Sequence, residues 1–176
     1  MRRGELQGWE SWSRQTPEGA VESEQRVTIA VPVVEFSERG AVTLGATYWS
    51  EVERFVHGIV RREQRRDGLE LRLLGRRPVL LRFEPPQYEV EAGLVACRYR
   101  IAGGVLAERP VGEISFVQVA GEAIELRSAI THFFPALAAR AGRPDWTGAL
   151  YSHVQSRAHV AVSRRYFARL IEEAAR

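Results

Sequence analysis

The stretch WTGALYSHVQSRAHVAVSRRYFARLIEEA, Trp146 to Ala174, decides how this chain is read. Pro144, Asp145 and Thr147 supply a helix start and no proline follows, so the spacing predicts one long helix. At 3.6 residues per turn, one face carries Val160, Ser163, Phe167, Leu170, Ile171 and Ala174. The same face extended backwards carries Ala149, Ser152, Ser156 and His159. A helix laid on a solid core presents large apolar groups along its whole stripe. This one predicts packing at the C-terminal end and a roof over a less dry space at the N-terminal end. The competing reading is that small residues there only let two backbones approach closely. A second stripe, Tyr151, Val154, Ala158 and Val162, offers a flank for a partner, a second copy of the chain included.

The composition fits a single globular domain. The chain has 176 residues, 45% hydrophobic and 27% charged, enough to bury a sizeable core. Its one cysteine, Cys97, excludes an internal disulfide and a cysteine-rich zinc site. No apolar run is long enough to span a bilayer and no signal-peptide pattern precedes the body, so a cytoplasmic location is expected. The net charge of +3 is mild, and all 25 basic residues are arginine.

Residues 1–25 are polar and lack sustained periodicity, which predicts a mobile tail ahead of a domain over residues 26–176. Trp9 and Trp12 stand out there as groups to dock on the body or on a partner. Val27 to Phe36 reads as a strand, with Pro32 marking an edge or a bulge. Ser50 and Glu53 form a capping-box pattern, which predicts a helix at about 48 to 57, ended by Gly58. Asp67-Gly68 joins strands Ile59 to Arg65 and Leu69 to Leu74 in a hairpin. Further strands are expected over Val79 to Glu84, Leu94 to Ala102, Val111 to Val119 and Ala123 to Phe134. The fold class is therefore α+β: a curved antiparallel sheet of about seven strands gripping a long C-terminal helix. A wedge between sheet and helix would be a cavity.

Several segments carry a resemblance. These are Phe83-Glu84-Pro85-Pro86, the run from Cys97 to Gly104, Gly112-Glu113-Ile114-Ser115-Phe116, Phe133-Phe134-Pro135, and the end of the helix through Arg169-Leu170-Ile171. In order and cadence the chain resembles the helix-grip superfamily of START lipid-transfer domains, Bet v 1 pollen allergens and polyketide cyclase/dehydrase-like (SRPBCC) proteins. The segment from Ser37 to His57 departs from the usual helical pair. The resemblance implies an interior pocket for a small apolar or amphipathic molecule. It transfers no catalytic residue, because the superfamily shares no catalytic motif.

Alternation places Ile124, Leu126, Ser128, Ile130 and His132 on one face of the last strand. The expected inward polar set is Tyr99, Gln118, Ser128 and His132, opposite Ser152, Ser156, His159 and Ser163 of the helix. Each of these also serves as an ordinary hydrogen-bonding group in a tight core. An enzyme of the cyclase/dehydratase kind would use His132 or His159 as general base and Tyr99 as donor. His153 and His159 lie six apart and point to different helix faces, so no metal site is expected. No nucleophilic triad, phosphate loop or other cofactor motif is readable. Arg61, Arg62, Arg65, Arg66, Arg76 and Arg77 gather at one end of the strands, interrupted by Glu63, Asp67 and Glu70 and without aromatic interleaving. They read as a solvated hairpin end and not as a nucleic-acid surface.

Overall fold

Among the described residues nine strands and two helices follow one another: β1 (Glu10–Gln15), β2 (Val21–Ile29), α1 (Glu38–Phe55), β3 (Val60–Arg65), β4 (Gly68–Leu73), β5 (Arg76–Phe83), β6 (Gln87–Glu91), β7 (Leu94–Gly103), β8 (Glu113–Ala120), β9 (Ile124–Phe133) and α2 (Asp145–Ala174). The computed structural model describes residues 6, 8–136 and 145–175, with side chains in α2 described from residue 159 onward. The expected α+β class holds, as an antiparallel sheet with a C-terminal helix, but with nine strands instead of about seven. Among the described residues no helix is long and apolar enough to cross a membrane.

The sheet runs β1-β2-β9-β8-β7-β5-β4-β3, and β6 pairs beside β7. One half of β7 takes β6, from Gln87↔Arg98 to Glu91↔Leu94. Its far end is passed to β5 through Arg82↔Gly103 and Phe83↔Ile101. Pro85 and Pro86 stand at the break between β5 and β6, where residues that cannot donate to a ladder release the chain from one partner to the next. The β6 strand was not foreseen because those prolines read as the end of the extended run.

The expected tail over residues 1–25 is corrected, because β1 and most of β2 lie within it. β1 pairs with β2 from Glu10↔Arg26 to Gln15↔Val21, and β2 pairs with β9. Apolar alternation is missing because Ser23 and Gln25, both fully buried, occupy inward positions that hydrophobic residues usually fill. Trp9 docks on the body, its ring 5.9 Å edge-on from Phe167 with the Arg164 guanidinium over it at 5.2 Å. The strand expected over Val27 to Phe36 stops at Ile29.

The first helix begins about ten residues before the expected 48 to 57. Ser37 is its N-cap, accepting from the Gly40 amide at 3.2 Å, whereas Ser50 donates back to the Ala46 carbonyl at 2.9 Å. Gly40 and Gly45 are contact points: a Cβ on Gly40 would collide with the Glu35 carbonyl, and one on Gly45 would lie 2.8 Å from both Cys97 Sγ and the Tyr99 hydroxyl. The absent side chain of Gly45 lets α1 lie directly on β7.

On α2 the buried stripe is His159, Val162, Ser163, Tyr166, Phe167 and Leu170, rotated from the expected one. Val162 faces the core, not a partner flank. Ile171 is only half-buried, and Ala174 is exposed. The two helices lie side by side on one face of the sheet, with α1 over β6, β7 and β8 and α2 against β2 and α1. Between them Glu51 is buried within reach of Arg165 (3.7 Å) and Arg169 (4.0 Å). Beneath them runs a nest of rings: Tyr48–Phe116 at 4.3 Å, Tyr48–Tyr166 at 5.5 Å, Trp49–Tyr99 at 5.3 Å and Trp49–Phe83 at 5.1 Å.

Alanine forms helix better than glycine by about 1 kcal/mol, so propensity alone favours Gly45→Ala. The contact with Cys97 and Tyr99 reverses that sign. Gly45→Ala is expected to destabilise by about 1–3 kcal/mol in urea unfolding, and a stabilised variant would show that α1 does not sit this close to β7.

Candidate functional site

Three of the expected inward polar groups, Gln118, Ser128 and Ser163, are tied into hydrogen bonds within the fold. Gln118 is fully buried; its Oε1 accepts from the Val33 and Val34 amides at 2.8 and 3.2 Å, and its Nε2 donates to the Val34 carbonyl at 2.8 Å. It pins the irregular segment after β2 onto β8, satisfying a backbone that Pro32 keeps out of the ladder. Ser163 lies 3.3 Å from both Gln25 Oε1 and Ser128 Oγ, and all three residues are fully buried. This polar seam joins α2 to β2 and β9. The side chains of Ser152 and Ser156 lie outside the described residues.

The two histidines separate. His132 is expected inward and is found outward: its side chain is 72% exposed, with Nε2 3.8 Å from Glu22. The cause is an irregularity in the β2–β9 ladder, where Val21↔Phe133 is followed by Ser23↔Ile130 and His132 sits at φ 51. The extra residue flips the alternation, so Phe133 enters the core and His132 leaves it. His159 is fully buried, with Nδ1 2.8 Å from the Tyr48 hydroxyl. Tyr48 has no other acceptor among the described residues, so we assign its proton to this bond and the ring hydrogen of His159 to Nε2. Burial pushes the His159 pKa from 6.5 to about 4, which leaves a neutral ring. Tyr99 meets Trp49, Phe83 and Phe116 but not His159, so the expected pairing of base and donor does not form.

Tyr99, of that set, lines a cleft among the described residues. The space, about 440 Å³, lies between α1 and the strands β3, β4, β6 and β7. From α1 come Val42, Ala46 and Trp49; from the sheet come Arg62, Gln64, Leu69, Tyr88 and Tyr99. Register explains the grouping. Arg62 stands opposite Leu71 and Gln64 opposite Leu69, so both side chains fall on the helix side of the β3–β4 hairpin. Tyr88 stands opposite Cys97 on the β6–β7 pair.

The cleft is apolar in its floor and donor-rich in its polar groups. Trp49 is only 3% exposed, and its indole Nε1 has no hydrogen-bond partner among the described residues. The Tyr99 hydroxyl lies beside it; burial pushes the Tyr99 pKa up, and the neighbouring indole N–H offsets part of that, but the contact falls short of a hydrogen bond. Arg62 is held at the mouth by Glu53 at 3.5 Å and by a bond from Nη1 to the Ala46 carbonyl at 3.2 Å. Gln64 donates to the Gly68 carbonyl at 3.1 Å and keeps its own oxygen for another partner. No lining residue is a histidine, carboxylate, serine or cysteine. Behind the wall, burial pushes the Cys97 thiol up to about 12, which keeps it protonated and inert. Such an arrangement presents hydrogen-bond donors around an apolar floor. Among the described residues no group of histidine, cysteine and carboxylates could hold a metal ion.

No protein-family model, curated protein or solved structure matches this chain. Sequence reading missed Trp49, Arg62, Gln64 and Tyr88. The signal for Arg62 and Gln64 was the hairpin register that Asp67-Gly68 already implied, and Trp49 becomes an inward residue once the helix starts at Ser37.

The neutral His159 makes a pH prediction. The folded chain binds this proton less readily than the unfolded chain, so its contribution to stability is complete above pH 6.5 and is lost as pH falls towards 4. The loss should be on the order of 3 kcal/mol, read as a steeper acid-side fall in urea midpoint for the parent than for His159→Gln. Parallel pH profiles for the two proteins would remove this account of the ring.

Proposed function

We propose that this chain binds a small apolar or amphipathic molecule in the cleft between α1 and the sheet. The acceptor-bearing end of that ligand meets the Trp49 N–H, the Tyr99 hydroxyl and the Arg62 guanidinium. The observation that carries the reading is the Trp49 indole, buried in the cleft wall with its N–H unpaired. A buried donor left without a partner costs about 1–3 kcal/mol, and a ligand acceptor removes that cost. The cleft volume of about 440 Å³ falls within the range of roughly 300–1,000 Å³ typical of small-molecule pockets.

The binding place differs from the one first expected beneath the C-terminal helix. The space expected under the first half of α2 falls on side chains outside the described residues; the described half is packed against rings and the Ser163 seam. A helix-grip relationship belongs to the same proposal. Its support is the element order, an antiparallel sheet followed by a long last helix that packs on the sheet's helix-bearing face. A cyclase or dehydratase activity has less support, with His132 in solvent and His159 neutral and away from the cleft.

Ala46 lines the cleft from an exposed helix position, so Ala46→Phe fills the space without entering the core. Isothermal titration with a graded series of aliphatic and aromatic carboxylates should show saturable one-to-one binding for the parent. Ala46→Phe should weaken it roughly tenfold or more while changing stability by less than about 1 kcal/mol. Equal affinity in parent and variant, or no binding by the parent, would remove the proposal.

A further inference from the structure

The ligand cleft uses only Arg62 of the arginines gathered on β3, β4 and β5. Most of the others occupy the opposite face. Glu63 stands across from Glu70, and Glu70 across from Arg82, so Glu63, Arg65, Glu70, Arg72 and Arg82 share the side of the sheet turned away from Leu69 and Leu71. Glu70 is only 6% exposed, and three guanidiniums converge on it: Arg72 Nε at 2.9 Å, Arg82 Nε at 3.1 Å and Arg65 Nε at 3.7 Å. The bond from Arg72 is the main influence holding the Glu70 carboxyl below its usual range, so the carboxylate is ionised at neutral pH. Arg72 also reaches Glu63 at 2.9 Å.

A cleft of about 460 Å³ opens over this group, lined by Arg65, Arg72, Arg77 and Arg82, with Glu70 in its floor. Its far wall is the backbone of Gly104 and Val105, fixed by bonds from the Val105 amide to the Val79 carbonyl and from the Leu106 amide to the Leu80 carbonyl, both at 3.0 Å. The charges do not balance. Four arginines face the two carboxylates Glu63 and Glu70, which leaves an excess of two positive charges, and Arg77 has no carboxylate partner among the described residues. A ladder built only for stability would match charges one to one, because gathered like charges repel. Here one buried carboxylate orients several guanidinium forks and leaves their free N–H groups at the cleft surface.

We propose that this cleft is a second binding site and that it takes a phosphate-bearing small molecule. A phosphate dianion supplies the two missing negative charges, and its oxygens match the planar forks of Arg77, Arg82 and Arg65. Glu70 is a positioning residue that touches no ligand. The site stands on different residues and on the other face of the sheet from the α1 cleft, so neither proposal depends on the other.

The test is isothermal titration of the full chain with inorganic pyrophosphate and, separately, with a nucleoside diphosphate, at low and at high salt. Saturable one-to-one binding that weakens with salt is expected. Arg77→Gln should lower affinity roughly tenfold with an unchanged circular dichroism spectrum, since Arg77 is exposed and bonds no carboxylate. Ala46→Phe should bind pyrophosphate as the parent does. Tighter binding of the nucleoside diphosphate would support the site with an organic phosphate as its ligand; equal affinity would support it with the bare oxyanion. No saturable heat at roughly millimolar pyrophosphate would overturn the proposal. So would equal affinity in the parent, Arg77→Gln and Arg82→Gln, and so would binding confined to a single-stranded oligonucleotide.

Discussion

Helix α1 touches β7 at Gly45, and the rest of the helix-bearing side follows from that contact. With no Cβ at this position the backbone settles onto Cys97 and Tyr99, which swings Trp49 edge-on against Tyr99 at 5.3 Å and brings Tyr48 over Phe116 at 4.3 Å. Tyr48 then reaches His159 on the other helix, so the tilt of α1 also sets the seat of α2. One turn later Glu51 is buried between Arg165 and Arg169, a second link between the same two helices. The cleft is the residue of this geometry. Val42 and Ala46, on either side of Gly45, leave the space towards β3 and β6 unfilled.

Polar groups do much of the work that apolar contacts do in simpler cores. Gln118 holds a loop, Ser163 with Gln25 and Ser128 joins helix to sheet, and Tyr48 with His159 joins helix to helix. Each is buried and hydrogen-bonded, which turns a costly group into one that specifies a single arrangement. The Trp49 indole is the contrast. Its N–H is unpaired among the described residues, as is His159 Nε2, but the indole stands in the wall of the α1 cleft, and that carries the ligand reading.

The β3–β5 strands serve two surfaces at once. Period-two alternation sends Arg62, Gln64 and Leu69 towards α1 and sends Glu63, Arg65, Glu70, Arg72 and Arg82 to the other side. A cluster of arginines in the sequence is thereby split. One guanidinium stands at the rim of an apolar cleft, and four surround a largely separate acidic floor.

The sequence by itself determined the elements whose signal is local. Asp67-Gly68 makes the hairpin, alternation marks β4, β7, β8 and β9, and the uninterrupted period after Pro144 marks α2, because turn chemistry and periodicity need no distant partner. The nine-strand count, the start of α1 and the phase of β9 were decided by tertiary structure. β2 looks like a tail because its inward residues, Ser23 and Gln25, are satisfied only from elsewhere in the fold, Gln25 by Ser163 of a helix 138 positions away. Nothing local marks Gly40 and Gly45 as contact points; the neighbouring backbone and β7 occupy the space their side chains would take. His132 shares a face with Ser128 in the sequence, and one irregular step in the pairing with β2 turns it outward. Of the described residues expected to meet a ligand, only Tyr99 lines the cleft. The rest of that site comes from α1, β3 and β6, elements that contact geometry assembles and no local spacing encodes.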